Sequence, residues 1–255
     1  MERKGIRARL AEAHLAVLLL TRLPMPRLAD PAPTLAQSVW AYPLAGLVVG
    51  AISALALFVT LALGLPPSLA AGLAVTVQVV VTGALHEDGL ADVADGFWGG
   101  RDVARRLEIM RDSRIGSYGV AALVLSLGLR WQGVAALAAT SPALAGAGLI
   151  GLAMLSRAAC GLLMAALPPA RPDGMGRYAA GAAWKRVIAG GALGLGAALG
   201  LGLPLVPILI VQLALVVGLA QIARAKIGGQ TGDVLGTAQQ LAEIGGWLVL
   251  AATVA

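Results

Sequence analysis

Charge is scarce in this chain of 255 residues: Lys, Arg, Asp and Glu make up only 13% of it, about half the share found in ordinary soluble domains. With a hydrophobic fraction of 58% and a mean hydropathy of +0.84, such a composition excludes a water-soluble globular protein. Cysteine is nearly absent. The single Cys160, set in the apolar stretch "AACGLLMAA", rules out an internal disulfide and reads as a packing residue. The only histidines are His14 and His86, and without a second thiol nearby they make a zinc centre unattractive. Aromatic residues amount to 4%, so helices have to pack through small side chains, which the 34 glycines provide.

What the chain does have is long apolar runs such as "LAGLVVGAISALALFVTLALG". Some 20 apolar residues, rising about 1.5 Å each, cross the hydrocarbon core as a helix, whereas a membrane barrel needs short alternating strands. Helical spans are expected near 39–63, 68–85, 117–139, 143–166, 187–203, 205–223 and 241–255. The turn segments "GLPPS", "TSPALAG" and "LGLPLVP" break three of the pairs into hairpins without adding charge. The fold class is therefore an all-α polytopic membrane bundle of about seven transmembrane helices, forming one integral membrane domain over 1–255.

The positive charges support that count. Of the 19 Lys and Arg residues, six precede the first span, five lie in 101–114, five in 157–186, and two are Arg224 and Lys226. An even number of spans separates each group from the next, so all can face the cytoplasm. The net charge of +6 is then a topology signal and calls for no nucleic-acid partner. Only Arg130 stands outside these groups; it falls inside a span, and its neighbour Trp131 points to an interfacial position. The N-terminal "MERKGIRARLAEAHLAVLLLTRLPMP" has no clear small-residue cleavage site and reads as a helix lying on the bilayer.

Chemistry concentrates in three segments expected on the cytoplasmic side, near 86–116, 167–186 and 224–240. "HEDGLADVADGFWGG" places Asp88, Asp92 and Asp95 at i, i+4 and i+7, on one face of a helix. Carboxylates so close repel one another, and Mg²⁺ shared with phosphate oxygens is the economical remedy. The arginines of "RDVARRLEIMRDSRIGSYG" follow, and Arg157 and Arg171 lie further on. Metal-binding acids beside guanidinium groups are the equipment of phosphoryl transfer. "GGQTGDVLGTAQQLAE" adds Asp233 and Glu243 behind a glycine turn that is neither a P-loop nor a dinucleotide fingerprint.

These motifs, with "TRLPMP" from Thr21, "YPLAGLVVG" from Tyr42, "IMRDSRIGSYG" from Ile109, "LPPARPDGMG" from Leu167 and "GGQTGDVLG" from Gly228, resemble the adenosylcobinamide-GDP ribazoletransferase family, also called cobalamin 5′-phosphate synthase. The resemblance runs over nearly the whole length. It implies a Mg²⁺-dependent multi-pass enzyme of the bacterial inner membrane that joins adenosylcobinamide-GDP to α-ribazole, or to its 5′-phosphate, and releases GMP in the last assembly step of vitamin B12. Under it, Asp88, Asp92 and Asp95 are expected to hold the metal, and Arg111, Arg114, Arg157 and Arg171 to grip phosphate. Asp95 or His86 is expected to act as general base, while Asp233 and Glu243 complete the metal site or orient the nucleoside. Glu87 carries less weight, and whether two copies pair as a homo-oligomer is left open.

Two other functions compete. A CDP-alcohol-type phosphotransferase also works at an aspartate cluster, but "DGLAD" has Asp92 where that signature needs arginine. A cation transporter would place acids along a path across the membrane, whereas these gather on one side.

Overall fold

The computed structural model describes residues 2–253. The chain forms α1 (Glu2–Leu20), α2 (Leu35–Ser38), a 3₁₀ turn (Val39–Ala41), α3 (Tyr42–Ala62), α4 (Pro67–Thr82), α5 (Leu85–Gly99) and α6 (Val103–Ile109). These are followed by α7 (Ser117–Thr140), α8 (Pro142–Ala166), α9 (Met175–Ala179), α10 (Trp184–Gly200), α11 (Leu205–Ile227) and α12 (Gly232–Ala252). Helices occupy all seven expected span positions as far as the described residues go; the last reaches Ala252, and residues 254–255 of that span lie outside the described residues. Four segments are long and apolar enough to cross a membrane alone: Leu35–Ala62, Ser117–Thr140, Pro142–Ala166 and Leu205–Ile227. The pair α4 and α5 qualifies together but is bent by 87°. Leu55, Val80, Val124, Val206 and Ile210 are each more than 60% exposed, as expected for side chains facing lipid.

Most of the segment near 86–116 is helical, as α5 and α6, with the acids on a helix as their spacing led us to expect. One boundary departs from expectation: the last span starts earlier than 241, because Thr231 caps α12 by accepting from the Val234 N–H and the helix runs unbroken from Gly232. Its polar first half is thereby carried into the bundle.

Small residues set the closest crossing. A Cβ on Gly46 would overlap the Ala153 carbonyl, and one on Gly50 would lie 2.5 Å from the Leu149 oxygen. α3 and α8 therefore touch backbone to backbone, through a small-xxx-small spacing. Around them Leu57, Val134, Leu137, Leu149, Leu152 and Trp247 fill one core. A second core joins α5, α8, α11 and α12 through Val93, Phe97, Leu163 and Ile227.

The charged segments meet at one end of the bundle, as the positive charges foretold. Glu12 binds the Trp40 indole N–H at 2.6 Å and the Arg186 guanidinium at 3.0 Å, tying α1 to the starts of α3 and α10. The α1 residues Ala16 and Leu20 are buried while Ile6 and Leu10 remain exposed, an amphipathic arrangement suited to the membrane interface.

Gly46→Leu should force α3 from α8 and destabilise the bundle by about 2 kcal/mol or more, seen as a lowered thermal midpoint in detergent. Gly196→Leu, where nothing lies within 4 Å, should leave the midpoint nearly unchanged.

Candidate active site

The site begins at the bend. Gly83 and Ala84 both adopt left-handed backbone, at φ 65° and 57°, and two such residues in succession end α4 and redirect the chain into α5. Glu87 and Asp88 then fall in the first turn of α5, where the helix dipole favours negative charge. α5 lies close on α12: a Cβ on Gly89 would stand 2.9 Å from the Asp233 carbonyl oxygen, and the Thr237 hydroxyl donates to the Gly89 carbonyl at 3.1 Å. Along the helix Asp88 is exposed, Asp92 half-buried and Asp95 buried. Asp92 feels the negative charge of Asp233, Asp88 and Asp95 and the positive charge of Arg171.

Arg171 and Asp233, 62 residues apart in sequence, are joined by a backbone clasp. The Gln230 N–H donates to Pro168 O at 2.8 Å and the Ala170 N–H to Gln230 O at 2.9 Å. That clasp sets the Arg171 guanidinium 2.9 Å from Asp233. Arg111 pairs with Asp173, and Arg111 and Arg171 share an open groove of about 380 Å³. Arg114 is exposed and forks onto Asp112, whose carboxyl is held down to about 2 by those hydrogen bonds.

The other expected site residues lie elsewhere. Asp95 accepts hydrogen bonds from the Gly116 N–H at 2.7 Å and the Gly119 N–H at 2.9 Å, so both of its oxygens serve the start of α7. Spacing explains the separation: seven residues of helix rise about 10.5 Å, too far for Asp88 and Asp95 to share one ion. Among the described residues, no three His, Cys, Asp or Glu side chains are grouped to hold a metal. His86 is 3% exposed and its Nε2 has no hydrogen-bond partner among the described residues. Arg157 is 1% exposed and donates to the Ala153 carbonyl, out of reach of the groove. Glu243, also 1% exposed, lies inside the bundle.

The sequence over residues 12–251 matches the family described as Cobalamin-5-phosphate synthase. The chain belongs to that family. Proteins named adenosylcobinamide-GDP ribazoletransferase match nearly its full length. The one from Bradyrhizobium diazoefficiens is 46% identical over 251 residues, covering 97% of this chain and 95% of the relative. That from Azorhizobium caulinodans is 48% identical over 252 residues, covering 92% and 93%. No solved structure matches the chain.

Beneath the acids lies a polar network that the sequence did not announce. Arg130 is buried between Glu87, at 2.6 Å, and Glu243, at 3.5 Å, which corrects the interfacial position expected from Trp131. Adjacent residues on a helix point about 100° apart. Trp131 accordingly faces outward, its indole N–H on the Ser68 carbonyl at 2.6 Å, while Arg130 faces in. Gln78 donates to Glu243 at 2.8 Å and accepts from Arg130 at 2.9 Å. Gln240 accepts from Arg130 at 3.0 Å and from the Ser126 hydroxyl at 2.8 Å, and donates to Glu87 at 3.1 Å. The one available signal was compositional, namely glutamines and a glutamate in otherwise apolar helices.

Arg130→Met should remove the cation from between two buried carboxylates and destabilise the protein by about 3–5 kcal/mol. Thermal unfolding in detergent checks this, and an unchanged midpoint would refute the role of the pair.

Proposed function

We propose that this chain catalyses the family's transfer in the membrane, joining adenosylcobinamide-GDP to α-ribazole or α-ribazole 5′-phosphate with release of GMP. The observation that carries it is the meeting of Asp88, Asp92, Asp233 and Arg171 at the charged end of the bundle, next to the groove that Arg171 shares with Arg111. In this reaction an acceptor hydroxyl attacks the phosphate next to the corrinoid side chain, and the bond to the GMP phosphate breaks. Catalysis of such a step is mostly positioning and charge neutralisation.

Mg²⁺ fits the donor set. It binds through one or two carboxylates together with substrate phosphates and needs no all-protein cage, and Asp88 and Asp92 supply hard oxygens. Mg²⁺ held there supplies neutralisation of the negative charge that grows on the leaving phosphate. Arg111 and Arg171 would grip the diphosphate through their planar forks, with Asp233 fixing the angle of Arg171. Asp95 keeps α5 and α7 in register. Removal of the hydroxyl proton falls to the acidic cluster, because both oxygens of Asp95 are engaged at α7.

Gathered on one end, the arginines and lysines support an orientation with that end in the cytoplasm of a bacterial inner membrane. The family match disfavours both a CDP-alcohol phosphotransferase and a cation transporter.

The direct test is purified protein in lipid with adenosylcobinamide-GDP, α-ribazole and Mg²⁺, assayed for GMP and a new corrinoid. Asp88→Asn and Asp92→Asn should each lower turnover at least about 10²-fold with normal membrane insertion, and chelation of Mg²⁺ should stop it. Full activity in both variants would overturn the assignment of the metal to these acids.

A further inference from the structure

A cavity of about 120 Å³ opens beside the acids, walled by α1, α2, α3, α5, α8, α9 and α12. Its lining is mostly apolar, with Leu20, Leu35, Tyr42, Leu85 and Leu235 on its walls. His86 also lines it, with a buried Nε2 that no atom among the described residues satisfies. Asp88 and Asp233 complete the lining. Asp88 is exposed and Asp233 half-buried, which marks their side as the open one.

We propose that this cavity receives the heteroaromatic base of the acceptor nucleoside, with His86 Nε2 hydrogen-bonded to the base or its sugar. The proposal rests on the transfer reaction described above and adds where the acceptor sits. An apolar cavity of roughly 150 Å³ holds a benzene ring, so this one is of the order of size for a small ring, and its open side leaves room for a fused second ring. Small-molecule sites are characteristically apolar with a few placed polar groups, and buried polar atoms are nearly always satisfied in the working complex. With the base inside, its sugar lies at the open side, beside Asp88 and Asp233. The attacking hydroxyl then stands where the phosphate is held.

Other occupants fit less well. The guanine of the donor has polar atoms around its edge, and the leucines offer them nothing. A lipid acyl chain would leave His86 unsatisfied and would meet two carboxylates at the entrance.

The test uses the full chain in lipid nanodiscs, with steady-state kinetics varying each substrate and equilibrium dialysis of α-ribazole alone. Ala179→Phe fills the cavity from a wall outside the catalytic machinery, since Ala179 is a 1% exposed lining residue. It should raise the KM for α-ribazole at least about tenfold, with the donor KM and kcat within about twofold. His86→Phe should weaken dialysed α-ribazole binding about tenfold, and His86→Asn, which keeps hydrogen-bonding capacity, should restore part of it. Should Ala179→Phe fail to fold, Leu35→Phe reads the same effect. An unchanged acceptor KM and unchanged α-ribazole binding in these variants, with wild-type turnover intact, overturns the cavity assignment alone. A rise confined to the donor KM assigns the cavity to the donor and likewise overturns it. Absence of product with wild-type protein defeats the transfer reaction instead, while dialysis still reports on the cavity.

Discussion

A guanidinium buried in the middle of a helix bundle has to be met by carboxylates, and in this protein that demand fixes where α5 lies. Arg130 on α7 holds Glu87 at 2.6 Å and Glu243 on α12 at 3.5 Å. α4 joins through Gln78, and α12 adds Gln240. Breaking such a pair costs about 3–5 kcal/mol because it strands a charge away from water. α5 is thus anchored at its first turn, one residue before Asp88, and at its far end, where Asp95 binds the start of α7. Between these anchors Asp88 and Asp92 are left for chemistry.

The two kinds of charge in the protein therefore do different work. Inside the bundle, arginines and glutamates neutralise one another and hold helices in place. At the charged end, Arg171 pairs with Asp233 at an intermediate depth, 14% and 21% exposed at the side chain, and Arg111 and Asp173 pair in the open. Exposed pairs contribute little to stability, so these contacts are readily exchanged for phosphate and metal. The boundary between the two kinds of pairing runs along α5, between Glu87 and Asp88.

Much of this was legible in the sequence. Apolar runs longer than a bilayer is thick gave the helices, and the grouping of arginines gave the single charged end. The i, i+4 spacing of Asp88 and Asp92 put them on one helix face. Asp95 lies apart from Asp88 because angular spacing ignores rise: a residue seven positions on returns to the same face, about 10.5 Å further along the axis. Arg157 and Glu243 entered the expected site through the family motifs, and a motif read along the chain carries no depth. Glu243 is tolerable inside the bundle because Gln78 and Arg130 meet it from neighbouring helices and Gln239 from its own.

By itself the sequence determined the medium, the helices, the sidedness of the charge and the family, since each follows from local composition or from motifs read along the chain. The tertiary structure alone decided which charges hold the bundle together and which face the groove. Those assignments depend on the bend at Gly83 and Ala84, on the clasp that brings Arg171 to Asp233 across 62 residues, and on the partners each buried charge meets. Burial makes an ionisable group structural when it is paired from other helices and reactive when it is left beside an opening, and pairing between helices is a property of the packed chain.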